Sequence, residues 1–267
     1  MTLYSFKKLN PDWRMILFVS KPNSVKSKTW IDTPTQDFHN FKGLNFFDKV
    51  KDLGIEIREW ELEDSQYLDN RLVGASHKSN FFKWQTLSCL SGFYCDLDIL
   101  FIKPIEPFYR KCRNSDVVIS HKGYYSIGLL GSSGDNKFFR DLYQHTFKSY
   151  TDKEYQSAGV QSIHSFCKTL VEGDASEIYR SYDTFKKHYN TMKFYNMPME
   201  RIYPWLWNSM RSVFKEKHIT VPEKCFGIHW YAGDKISQQY NNFMNEDNFL
   251  KYNNTYSHYA NIVLNKE

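Results

Sequence analysis

Residues 76–104, SHKSNFFKWQTLSCLSGFYCDLDILFIKP, constrain this chain more than any other stretch. Phe81, Trp84 and Leu87 recur at helical spacing, so the pattern predicts an amphipathic helix from Ser76 to Ser91, capped by Ser76 and broken at Gly92. An aromatic strand, Phe93–Cys95, then delivers Asp96 and Asp98, and the apolar run Ile99–Ile102 carries the chain to Pro104. Side chains two apart on a strand leave on the same side, so both carboxylates are expected to reach one point. Confined together they repel and lose hydration, and a divalent cation between them offsets both penalties. Carboxylate oxygens suit Mn2+ or Mg2+, ions that keep open positions for phosphate oxygens. The plain alternative is an acidic turn facing solvent.

The flanking pattern places this stretch inside an α/β domain. Trp13–Ser20 reads as a first strand, apolar throughout as in a sheet covered on both faces. It runs into the loop Lys21-Pro22-Asn23-Ser24. Ligands of open α/β sheets sit beyond the carboxyl ends of strands, so Ser20 and this loop are candidate nucleotide contacts, and Trp30 a candidate base-stacking ring or core residue. Phe41, Leu44, Phe47 and Val50 predict a helix over 40–53, ended by Gly54, and the alternation in Ile55–Leu62 predicts a second strand. Strand, helix, strand begins a βαβ unit. The expected architecture is a mostly parallel sheet with helices on both faces. Asp64–Gly74 reads as a polar connection, and Asn80 and Lys83, three apart, share one helical face beyond it. Further strands are expected at Val117–Ser120 and Ser126–Gly131, and helices at Asn136–Tyr150, Ser157–Leu170 and Asp174–Tyr189. Late in the chain CFGIHWYAG (Cys225–Gly233) reads as a short strand that delivers His229 beside Trp230. A polar linker, Asn241–Asn248, and a closing helix, Phe249–Leu264, divide the chain into a main domain, 1–240, and an appended segment, 241–267, packed on it.

Composition enters where it excludes. The formal charge of +5 comes from scattered residues, with no basic block of the kind that binds nucleic acid. Five cysteines, at 89, 95, 112, 167 and 225, form no Cys-x-x-Cys pair, which removes a zinc site and a full disulfide framework. Cys95 adjoins the aspartates, but strand alternation turns it to the opposite face. No leader is visible in Met1–Asn10 and no stretch is long enough to cross a membrane, so the expectation is a cytoplasmic protein without a transmembrane span. Tyr, Phe and Trp reach 18% of the chain, enough for a large core with rings left over to stack on a sugar or a base.

Ser76–Pro104 resembles the DxD-containing sugar-binding region of nucleotide-sugar glycosyltransferases, the group that includes initiating mannosyltransferases, capsular polysaccharide synthesis enzymes and glucosylating toxins. Ser79, Asn80, Lys83 and Trp84 stand at the family's helix positions, and Ser91, Gly92, Phe93, Tyr94, Asp96 and Asp98 at its strand positions. Asn80 and Lys83 depart from the usual Asp and Arg. The segment Leu130–Phe139 is similar to the one that follows the family's DxD strand, and His229-Trp230 is similar to its closing His-x-W or H-H-W motif. The resemblance implies a GT-A-type, Rossmann-like fold and transfer of a hexose from a UDP- or GDP-sugar to a glycan or other hydroxyl acceptor. It implies retention of anomeric configuration by front-face attack. Asp96 and Asp98 are then the catalytic pair, and they hold Mn2+ or Mg2+ with His229. Asn80, Lys83 and Asp96 bind the donor sugar, and Lys235 and Ser237 meet the diphosphate. Two rivals are weighed against it. One is a non-catalytic sugar- or partner-binding protein on the same fold. The other is a phosphotransferase with Asp96 as nucleophile, which would place its motif nearer the first strand than this sequence does.

Overall fold

The computed structural model describes residues 1–20, 25–26, 42–62, 73–170 and 181–265. The first part of the chain forms α1 (Thr2–Leu9), β1 (Ile16–Ser20), β2 (Val25–Lys26), α2 (Phe47–Lys51), β3 (Glu56–Trp60) and β4 (Val73–Gly74). The middle forms α3 (Ala75–Cys89), β5 (Ser91–Cys95), β6 (Ile99–Phe101), α4 (Glu106–Cys112), β7 (Val117–His121), β8 (Tyr125–Ser133) and α5 (Lys137–Ser149). The last part forms α6 (Val160–Thr169), α7 (Ser181–His188), β9 (Phe194–Asn196), α8 (Met210–Phe214), β10 (Gly227–His229), α9 (Lys235–Phe243) and α10 (Thr255–Leu264). The loop 21–24, Trp30, most of the connection before α3 and the first part of the helix expected from Asp174 lie outside the described residues.

The fold is mixed α/β. Its largest sheet has the order β5-β8-β7-β9, and two-stranded ladders join β1 to β3, β2 to β4 and β6 to β10. The pairings β1·β3, β2·β4 and β7·β9 are parallel, while β5·β8, β7·β8 and β6·β10 are antiparallel. The described strands thus pair in a mixed pattern where a mostly parallel sheet was expected. The reason lies in β7 and β8, which are joined by the tight turn Lys122-Gly123-Tyr124, with Gly123 at φ +76°. Strands joined that closely can only run antiparallel.

Helices cover both faces of the large sheet. Period-2 alternation sends Val117 and Ile119 of β7 into one core with Trp84 of α3 and Phe138 and Phe139 of α5, while Val118 joins Phe108 of α4, Ile99 and Phe101 on the other face. Phe138 is fully buried among Phe185, Tyr189 and Phe194, which by area stabilises the fold by roughly 1.5–3 kcal/mol. Asn136 sets the start of α5: its side chain accepts from Phe139 N–H and donates to the Asp116 carbonyl. The β1·β3 ladder leans on α3 through Phe82, whose ring lies 4.9 Å from Phe18 and 5.1 Å from Trp60.

Several boundaries differ from the sequence reading. α2 covers only Phe47–Lys51 and buries nothing, and Leu44 of the expected apolar stripe is 60% exposed. Asn45 captures the Phe47 N–H with its side chain, so the helix starts there. α3 ends at Cys89, followed by the extended Leu90, and Gly92 lies inside β5 at φ +138°, a conformation open to glycine alone. The expected linker begins in helix, because α9 runs to Phe243 and so crosses the boundary drawn at residue 240. The closing helix begins at Thr255 rather than Phe249. Asn253 turns left-handed, at φ +44°, and Asn254 and Ser257 form a reciprocal capping box. α10 then packs Tyr256, Tyr259 and Val263 into one core with Leu100, Ile228 and Trp230.

Candidate metal and donor site

Asp96 and Asp98 stand in a turn between β5 and β6, not along one strand. This corrects the alternation argument for their convergence. β5 follows β8 as far as Cys95, and the Asp96 N–H still donates to the Gly128 carbonyl. The chain then leaves that sheet, and β6 pairs with β10 instead. The switch happens within Asp96-Leu97-Asp98, where Thr2 Oγ1 donates to the Leu97 carbonyl. A turn tight enough to change sheets brings the two carboxylates together as surely as a straight strand would have.

The antiparallel register sets His229, the last residue of β10, opposite Ile99, the first of β6. The Trp230 N–H extends that ladder to the Asp98 carbonyl at 2.9 Å. His229 Nε2 consequently lies 3.2 Å from Asp98 Oδ1 and 3.7 Å from Asp96 Oδ2. The carboxylates keep 27% and 18% of their side-chain surface open, while the imidazole is buried. One ligand atom from each of the three residues lies within 4.8 Å of the others. Two carboxylates and an imidazole form a hard-to-borderline donor set that fits Mn2+ or Mg2+. Cys95 is excluded from it. Its thiol is pushed up to about 12 by burial and then by both aspartates, so it stays protonated, packed on the core beside Ile99 and Phe101.

The rest of the imidazole's surroundings were not legible in the sequence. Gly128 leaves the space that His229 fills, since a Cβ there would stand 2.6 Å from its Cδ2 and 2.7 Å from its Nε2. Tyr203 lies 5.3 Å from the imidazole, and its phenol oxygen accepts from Gly128 and Leu129 N–H at 2.8 and 3.2 Å. The Ala232 N–H donates to Asp98 Oδ2 at 2.8 Å, and the Tyr231 N–H faces His229 Nδ1 at 3.4 Å. Both amides owe their aim to Tyr231, which is left-handed at φ +43° at a cost on the order of 1 kcal/mol. In the sequence Gly128 is one of two glycines in an ordinary strand reading, Ser126–Gly131, and nothing local marks it as the one that makes room.

The α3 side meets Asp96. Lys83 is buried, with Nζ 3.3 Å from Asp96 Oδ1, 3.4 Å from the Ile127 carbonyl and 4.8 Å from the centre of the Tyr94 ring. Tyr94 O–H donates to the same Asp96 oxygen at 2.6 Å, and Ser79 Oγ lies 3.1 Å from that phenol. Asn80 is also buried and abuts Gly159, where a Cβ would lie 2.9 Å from its amide nitrogen. Trp84 Nε1 holds that segment by donating to the Ala158 carbonyl.

These contacts divide the two acids. Burial alone would raise the Asp96 carboxyl, but Lys83, then His229 and Tyr94, hold it well below the usual carboxylate range. Asp98 is raised instead, first by burial and then by Asp96, against the pull of His229 and the Ala232 N–H. Burial pulls His229 down, yet Asp98 and then Asp96 outweigh it and leave the imidazole above its ordinary pKa.

Other expected contacts are not joined to this cluster. Ser237, expected at the diphosphate, is fully buried and its hydroxyl donates to the Trp230 carbonyl at 2.6 Å. A buried hydroxyl takes the nearest acceptor, and here that is the turn it stabilises. Asp234 occupies the adjoining end of α9, its carboxylate accepting from Ile236 and Ser237 N–H. Lys235 is exposed on the first turn of α9. Ser20 ends β1, exposed, and no contact among the described residues ties it to the carboxylates; Trp30 lies outside the described residues. No helix among the described residues is long and apolar enough to cross a membrane. Neither a protein-family model nor a curated protein sequence matches this chain.

Proposed function

We propose that this chain is a metal-dependent glycosyltransferase on a GT-A-type, Rossmann-like framework. It transfers a hexose from a UDP- or GDP-sugar to a glycan or other hydroxyl acceptor. The observation that carries the reading is the convergence of Asp96, Asp98 and His229, with the Lys83 ammonium set against Asp96, in a sequence stretch that resembles the donor site of such enzymes. Asp96, Asp98 and His229 would hold Mn2+ or Mg2+, which when bound supplies Lewis-acid stabilisation of the negative charge on a leaving diphosphate.

The chain's own groups prepare that chemistry. Tyr94 and Lys83 fix one oxygen of Asp96, while its other oxygen faces His229. Asn80 and Lys83 approach from α3 and offer an amide and an ammonium to sugar hydroxyls. In the transfer, a bond forms between the acceptor oxygen and the anomeric carbon as the bond from that carbon to the diphosphate oxygen breaks. The diphosphate leaves with the bonding pair, and the acceptor proton passes to its departing oxygen. Retention follows if both events take place on one face of the sugar.

A thermal-shift panel of UDP-, GDP- and CMP-sugars, with and without Mn2+, tests this reading. One nucleotide sugar is expected to raise the melting temperature only with the ion, and Asp98→Ala to remove that rise. A rise that survives the substitution, or is equal in chelator, would speak for the metal-independent binding protein.

A further inference from the structure

Each residue of the turn Asp96-Leu97-Asp98 has a backbone group tied to a different element. The Asp96 N–H donates to the Gly128 carbonyl of β8, and the Asp98 carbonyl accepts from the Trp230 N–H just past β10. Between them the Leu97 carbonyl accepts from Thr2 Oγ1 of α1 at 2.6 Å. Leu97 is 58% exposed, so its side chain adds little burial and its carbonyl carries the hold.

The same helix serves the rest of this stretch. β10 pairs with one side of β6, and α1 covers the other. Thr2 and Ser5, three apart on one helical face, are both buried. Ser5 Oγ donates to the Thr2 carbonyl at 3.0 Å and accepts from the Phe101 N–H at 3.1 Å. Asn10, buried at the end of the helix, accepts from the Ile105 N–H at 2.8 Å. The Phe6 ring lies 4.9 Å from that of Phe101. Three buried polar side chains thus satisfy backbone groups along residues 97–105.

We propose that Thr2 is a positioning residue of the ion site, which acts through Leu97 to aim the Asp98 carboxylate at His229. The proposal rests on the ion site of the transferase reading and names what fixes its geometry from the side away from β10. The Leu97 and Asp98 carbonyls belong to the two peptide planes that flank the Asp98 Cα. Holding both planes, one from α1 and one from β10, fixes φ and ψ of Asp98 and so the direction of its side chain. With Thr2 Oγ1 removed, the first plane can rotate. Asp98 Oδ1 then leaves its 3.2 Å approach to His229 Nε2, and the Ala232 N–H loses the Oδ2 that it meets at 2.8 Å.

Three variants of the full chain test this: Thr2→Val, which keeps the shape without the donor, Thr2→Ser, which keeps the donor, and Ser5→Ala, which frees a backbone group on the same strand. Mn2+ affinity is read by electron paramagnetic resonance. Amide hydrogen exchange of Ala232 is read without ion, against that of Met197, bonded to Ile119 in the large sheet, so that global unfolding cancels. Thr2→Val is expected to weaken Mn2+ binding about tenfold and to speed the relative exchange of Ala232, and Thr2→Ser to restore both. Ser5→Ala should speed the exchange of Phe101 and leave Ala232 and the ion affinity as in wild type. A Thr2→Val protein with wild-type Mn2+ affinity and wild-type protection of Ala232 overturns the proposal. So does a Ser5→Ala protein that loosens both as much as Thr2→Val does, because the effect then belongs to the helix at large. A wild type that binds no Mn2+ sinks the metal-dependent reading, and the exchange of Ala232 still decides the role of Thr2.

Discussion

The two sides of the carboxylate cluster are built differently. On the α3 side, Asp96 is held by side chains that lie close in sequence: Lys83, Tyr94 and, behind Tyr94, Ser79. On the β10 side, Asp98 and His229 are held mainly by backbone: Trp230 N–H on the Asp98 carbonyl, Ala232 N–H on its carboxylate and Tyr231 N–H against the imidazole. The first side lowers its acid and the second leaves its acid raised. A side-chain shell can be retuned by substitution with the fold intact. A backbone shell cannot be changed without changing the turn that carries it.

The largest effect is expected at Asp98. Asp98→Asn keeps an acceptor for the Ala232 N–H but removes an ion ligand, and Mn2+ affinity should fall by at least about 100-fold in isothermal titration. Stability should move the other way. The raised Asp98 carboxyl holds its proton more tightly folded than unfolded, so its ionisation above the ordinary carboxylate range costs the ion-free fold. The ion-free amide variant is thus expected to melt no lower than wild type at about pH 7. A lower melting temperature with unchanged Mn2+ affinity would reverse the assignment of this side.

Gly128→Val comes next. Its side chain would enter the space of the His229 ring, so both the fold, by about 1–3 kcal/mol in denaturant titration, and the ion affinity should suffer. Tyr203→Phe removes the acceptor of two buried N–H groups and should cost about 1–3 kcal/mol while keeping the ring against the imidazole. If Tyr203→Phe were neutral, the phenol would not be what secures this stretch of β8.

The α3 side should yield smaller changes. Lys83→Met returns the Asp96 carboxyl towards its ordinary range and removes a cation that competes for it. Mn2+ affinity should change less than about tenfold, whereas nucleotide-sugar binding should weaken. A collapse of ion binding in Lys83→Met would erase the contrast between the two sides. The gentlest test is pH. Because the His229 pKa is raised, an ion must displace its proton, so Mn2+ affinity should climb as pH rises through the ordinary histidine range towards the raised folded value and level off above it. In the ion-free protein the same shift has the opposite consequence. The stability that His229 contributes is complete below its unfolded pKa and is lost as pH rises through the higher folded value. An affinity flat across that range would separate His229 from the ion.

The sequence by itself determined the local side of this site. Helical spacing put Asn80 and Lys83 on one face of α3, a short strand carried the chain to Asp96 and Asp98, and a later strand delivered His229 beside Trp230. These are properties of neighbours along the chain, set by periodicities of 3.6 and 2. Tertiary structure alone decided that the aspartates occupy a sheet-switching turn and that β10 pairs with β6. It also decided that Gly128 and Tyr203 make the space and the scaffold for the imidazole. It turned Ser237 inward, where the sequence had suggested a phosphate contact. Those outcomes depend on which distant strand satisfies which backbone group, and on where a missing side chain leaves room, and no local spacing encodes either.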